Sequence, residues 1–147
     1  MMYNKQSNAY REVAVQTSSP TKLVVMLYEG AVRFLGESVT AIKSKDLNRK
    51  RQSIDRAVAI VQHLHSTLDM DRGGQVAADL NKLYGYITSR IVEGSAKLET
   101  APLEEAIKLL RLLLTGWEEL ARKEHTEAAP TAVYAQQAAE GGFKLHA

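Results

Sequence analysis

Cysteine is absent from the 147 residues. That excludes a disulfide framework, a thiolate metal site and a cysteine nucleophile, and it suits a reducing compartment. Apolar runs such as Leu23–Tyr28 and Leu112–Leu114 fall far short of the roughly 20 residues that cross a bilayer, so no membrane insertion is expected. The opening stretch, MMYNKQSNAY, lacks the apolar core of a signal peptide, which makes the cytoplasm the expected location. One-sided charge is also missing: the net value is +2, with 11 Lys/Arg against 7 Asp/Glu in residues 1–74 and 8 against 10 in residues 75–147. The basic cluster Arg49-Lys50-Arg51 is too small for a phosphate-tracking face, so nucleic acid is not an expected partner.

Sustained two-residue alternation is lacking as well, and the apolar positions follow helical periods instead. Ser19-Pro20 is a helix start, with a hydroxyl to cap an unpaired amide and a proline that has no amide to leave unpaired. The first helix is expected to run from Pro20 to about Ser44. Asp46 caps a second, carrying Leu47, Ile54, Val58, Val61, Leu64 and Leu68, which Asp71–Gly74 is expected to break. A third carries Val76, Leu80, Leu83, Ile87 and Ile91 and fades near Thr100. The fourth opens around Pro102, with Leu103, Ile107, Leu110, Leu114 and Trp117 on one face while Leu109 and Leu112 drift off it. The expected fold is all-α: an antiparallel up-down-up-down four-helix bundle over residues 19–125, with an N-terminal arm (1–18) and a weakly structured C-terminal tail (126–147).

The first helix has more apolar surface than a bundle needs. Counted from Leu23 at 100° per residue, its apolar side chains spread over about 200°, roughly twice an ordinary stripe. Leu23, Leu27, Ala31 and Phe34 are assigned to the bundle; Val25, Tyr28, Val32 and Val39 are left for something else. Leu112, at about 180° from Leu103, is the matching outlier on the fourth helix. Glycines inside the helices (Gly30, Gly36, Gly85, Gly94, Gly116) imply close approach of a neighbouring helix or of a partner backbone.

Catalytic equipment is missing. A di-metal bundle site needs Glu-x-x-His, and the residues three before His63, His65, His125 and His146 are Ile60, Gln62, Arg122 and Phe143. No metal or other cofactor is therefore expected, and Gly73-Gly74 lacks the spaced glycines and lysine of a nucleotide loop. His65 falls on the apolar seam and is read as a packed histidine; the rival reading makes it the functional group of a small helical enzyme or phosphotransfer module.

Thr17-Ser18-Ser19-Pro20, then Leu23–Ala31 (LVVMLYEGA), then Gly73-Gly74 with Leu80–Tyr86 (LNKLYGY), then Trp117, together resemble the flagellar export chaperone family FliS. The likeness spans about Tyr10 to Leu120; Ser18 and Glu93-Gly94-Ser95-Ala96 depart from the family's usual residues. The resemblance implies a cytoplasmic protein that binds the disordered C-terminal segment of flagellin, prevents premature polymerisation and presents it to the type III flagellar export apparatus. An adaptor for another export substrate is the alternative within that class. The expected client-binding residues are Tyr10, Val25, Tyr28, Val32, Val39, Leu109 and Leu112, and a homodimer is the competing use of the same apolar surface. Tyr10, Val13 and Val15 of the arm are expected to cover the groove until a client displaces them.

Overall fold

The computed structural model describes residues 19–128, with side chains as far as Glu124. Tyr10 and the rest of the arm, and nearly all of the tail, lie outside the described residues. Four helices follow one another: α1 (Pro20–Lys43), α2 (Leu47–Ser66), α3 (Met70–Lys97) and α4 (Thr100–Ala128). Short connections turn each helix back along the last, and each packs on its neighbours in the order α1, α2, α3, α4 and back to α1. This is the four-helix bundle expected from the periodicity.

Local chemistry places the starts. The Ser19 hydroxyl accepts from the Lys22 amide at 3.1 Å, with Pro20 opening α1, and the Asp46 carboxylate accepts from the Arg49 amide at 3.1 Å. The junction of α2 and α3 differs from expectation. Helix α2 ends at Ser66, and Asp69 caps α3 by accepting from the Asp71 and Arg72 amides at 3.1 and 3.0 Å. Residues 70–73 therefore start a helix instead of ending one. Gly74, at φ 56° and ψ −136°, kinks α3 just after its first turn, a conformation reserved for glycine. Just past the kink Val76 is 63% exposed, so it does not belong to the expected core seam.

The core is a continuous cluster in which Tyr28, Leu35, Val61, Ile87, Ile91, Leu103 and Leu110 are fully buried. Each large aliphatic side chain here contributes about 1.5–3 kcal/mol of burial free energy. Small residues let α1 lie close to α2. A Cβ on Gly30 would stand 3.3 Å from Ile60 Cδ1, and the buried Ser38 and Ser53 hydroxyls meet at 2.7 Å. Each hydroxyl also lies 2.9 Å from a carbonyl of its own helix, Ser38 from Phe34 and Ser53 from Arg49; one serine can donate to the other while the second donates to its own carbonyl, so neither hydroxyl is stranded.

Polar pairs tie the remaining seams. The Thr21 hydroxyl donates to Glu124 Oε1 at 2.8 Å in a buried contact between the start of α1 and the far part of α4. Lys50 of α2 donates to the Ser95 carbonyl of α3 at 3.1 Å. Glu105 of α4 accepts from the Tyr86 hydroxyl at 2.8 Å and from Arg90 Nε at 2.6 Å, and Arg90 also pairs with Glu93. Those bonds, Tyr86 foremost, hold the Glu105 carboxyl below the ordinary carboxylate range. Phe34 covers the α1–α2 edge with the Arg33 and Arg56 guanidinium groups 5.1 and 5.6 Å from its ring centroid.

Candidate partner-binding groove

An open groove of about 540 Å³ runs between the C-terminal part of α1 and the N-terminal half of α4. Gly36 and Val39 form its α1 wall; Ile107, Leu112 and Thr115, with the charged Glu104, Lys108 and Arg111, form its α4 wall. Helical spacing makes these walls. Val39 follows Gly36 by three residues, Arg111 and Leu112 follow Lys108 by three and four, and Thr115 follows that pair by four and three, all on one side of α4. A Cβ on Gly36 would meet nothing within 4 Å, so the glycine leaves the α1 wall open where a side chain would narrow it. Leu112, 64% exposed, is among the most exposed large apolar side chains described.

The residues expected to face a partner separate into three groups. Val39 and Leu112 line the groove together. Val25 and Val32 are half-buried on α1, and Leu109 is half-buried on α4; Val32 and Leu109 pack against the core, and none of the three lines the groove. Leu109 lies one turn beyond Glu105, on the α3 side of α4. Tyr28 is the correction: it has no exposed surface and belongs to the core. The buried arc of α1 runs from Gly30 and Ala41 through Ser38, Ala31 and Leu35 to Tyr28 and Thr21, a sector centred about 70° from Leu23, which takes Tyr28 inside it.

Tyr28 belongs to a layer to which every helix contributes. Its hydroxyl meets that of Tyr84 from α3 at 2.5 Å, and Trp117 of α4 supplies a second side-chain hydrogen bond, its ring centroid 6.5 Å away. On the other side, the Tyr84 ring lies 5.7 Å from that of His65 on α2. Burial pushes the ionisation of both phenols above the ordinary tyrosine value, so they stay neutral hydrogen-bonding groups and are not bases. The ring of His65 is half-buried, with Nε2 2.5 Å from Asn81 Oδ1. Its described neighbours supply neither a nucleophile–base pair nor a metal: among the described residues no three His, Cys, Asp or Glu side chains are grouped to hold an ion.

Sequence reasoning missed Glu104, Lys108, Arg111 and Thr115, and it singled out Gly36 only as one of five helical glycines implying close approach. The signal available was the helical spacing of Lys108, Arg111 and Thr115 around Leu112; the missing knowledge was which edge of α4 meets α1.

The groove is suited to non-covalent binding, with an apolar floor, a cationic side and no reactive group. No described helix is long and apolar enough to cross a membrane. A sequence profile described as flagellar protein FliS matches residues 2–124. The chain is 32% identical to the flagellar secretion chaperone FliS of Campylobacter jejuni, over 84% of this chain and 97% of that one. It is 29% identical to FliSB of Pseudomonas aeruginosa, over 78% and 94% of the two chains, and 29% identical to FliS of Bacillus subtilis, over 81% and 88%. Those relatives bear the name of a chaperone and not of an enzyme, and the catalytic reading of His65 gains nothing from them. With the match extending over most of its length, this chain belongs to the FliS family of flagellar proteins.

Proposed function

We propose that this protein is a cytoplasmic flagellar export chaperone that binds the disordered C-terminal segment of flagellin, prevents premature polymerisation and hands the client to the export apparatus. The α1–α4 groove is part of the docking surface. The observation that carries this reading is the 64% exposure of Leu112 in a groove with Val39, on a chain of the FliS family. An unfolded segment can lay helical apolar anchors along such a groove, and apolar burial at about 25 cal/mol per Å² drives binding against the cost of ordering the client. Val25, Val32 and Leu109 flank this surface and extend it as the client wraps the bundle. Tyr10, with Val13 and Val15, covers the groove in the free protein and leaves on binding, and a second copy docked there would be the homodimer.

Calorimetric titration of the purified chain with the C-terminal segment of the co-encoded flagellin tests the reading. Saturable binding with a negative heat-capacity change is expected, weakened by Leu112→Asp. No heat at several temperatures and no complex on gel filtration would overturn it. Deleting residues 2–15 with no change in affinity or solubility would remove the covering role of the arm.

A further inference from the structure

Arg111 differs from the other cation of the groove. Lys108 has Glu104 one turn behind it and Glu105 three residues away, and it acts electrostatically on Glu105. The positions one turn from Arg111 are Ile107, Lys108, Leu114 and Thr115, which include no carboxylate. The α1 wall opposite, Gly36 and Val39, contributes no charge either. Arg111 is exposed, and the ion pairs within 4.0 Å among the described residues do not include it. A guanidinium with no ion-pair partner among the described residues therefore stands beside the exposed Leu112, at the edge of a groove whose other charges offset one another.

From this charge pattern we infer that Arg111 is a specificity determinant that takes a carboxylate of the bound segment, next to the apolar anchor received by Val39 and Leu112. The inference rests on the groove being the client surface. The segment recognised here is one in which an Asp or Glu lies within one helical turn of a large aliphatic side chain. The planar guanidinium can take both oxygens of that carboxylate, a geometry a lysine does not reproduce. Segments of equal hydrophobicity without the acid bind less well, and those with a basic residue there are repelled. The groove thus discriminates by charge among chains that its apolar floor alone would accept.

The test uses the full chain and the C-terminal flagellin segment, titrated at about 50 mM and about 500 mM NaCl, because a rim ion pair is screened by salt and apolar burial is not. Arg111→Glu is expected to weaken binding about tenfold at low salt and much less at high salt, with Arg111→Lys in between. Replacing the segment's acidic residues singly by Lys identifies the partner: one such segment recovers affinity for Arg111→Glu while losing it for the parent. Both substitutions sit on the exposed face, so folding is not at issue. If Arg111→Glu stays within about twofold of the parent at both salts while Leu112→Asp weakens binding, the charge inference fails and the groove assignment stands. If neither variant weakens binding, the groove is not the client surface. If the parent itself does not bind the segment, the choice of client falls and the inference with it.

Discussion

The hydroxyls of Tyr28 and Tyr84 lie 2.5 Å apart although their helices, α1 and α3, are diagonal in the bundle and make no direct backbone approach. The pair reaches through the centre and spaces the two helices by the length of two phenol rings. Removing the Tyr28 hydroxyl strands that of Tyr84 in a buried site, whereas removing the Tyr84 hydroxyl leaves Tyr28 with its Trp117 bond alone. Tyr84→Phe is expected to cost about 1–3 kcal/mol, and Tyr28→Phe at least as much because Trp117 also bonds that oxygen. The double variant should lose less than the sum of the two, which chemical denaturation of all three proteins measures.

The same pair sets an alkaline limit. Both phenols titrate above the ordinary 10.0 in the folded chain, chiefly because burial disfavours the phenolate. The unfolded chain begins to lose these protons near pH 10 while the folded one keeps them. Their contribution is therefore complete below that value and is lost as pH rises toward the folded pKa values. Denaturation midpoints should be level up to about pH 10 and fall beyond it. In the Tyr28→Phe/Tyr84→Phe double variant the fall should flatten, leaving a remainder from Tyr86, which its bond to Glu105 also raises.

Two glycines separate stability from binding. A Cβ on Gly94 would lie 2.9 Å from the Glu99 carbonyl oxygen and 2.9 Å from Leu103 Cγ, and backbone cannot give way cheaply. Gly94→Ala is expected to destabilise by about 1–3 kcal/mol. Gly36→Ala meets nothing within 4 Å and gains helix propensity, so it should stabilise by about 0.5–1 kcal/mol. The added methyl narrows the α1 wall, and weaker client binding by a more stable protein is the expected combination. Thermal melts and a titration on the same preparation check both halves; tighter binding by Gly36→Ala would count against the groove.

Leu98 ends α3 in the left-handed conformation, φ 55° and ψ 40°, where a side chain is strained. It is 46% exposed, so little burial is at stake. Leu98→Gly should raise stability by about 0.5–1 kcal/mol, and a lower melting temperature would show that the leucine packs more than its exposure indicates.

What the sequence disclosed follows the range of the interactions. Ser19 and Asp46 act on amides three residues away, so their caps were legible. The chemistry at Asp69 is equally local, but Asp71–Gly74 resembles a stop, and nothing in the one-dimensional pattern says that a helix can carry Gly74 as a kink. Tyr28 was misplaced because hydropathy ignores Thr21 and Ser38, two polar residues that share its buried arc. Their hydroxyls are satisfied by Glu124 and Ser53, partners that only the folded chain brings near. The groove was half visible: Leu112 stood out on the helical wheel, whereas pairing it with Gly36 and Val39 requires knowing which edges of α1 and α4 meet.

The Thr21–Glu124 contact joins positions 103 residues apart, at the two extremities of the described bundle. The helices thus form a nearly closed circuit, and the order in which the ribosome emits them is incidental to how they pack. A circular permutant, with the flanks joined into a linker and new termini opened at Ser44-Lys45, would keep all four interhelical seams. Connectivity could then be varied while the groove between α1 and α4 stays the same.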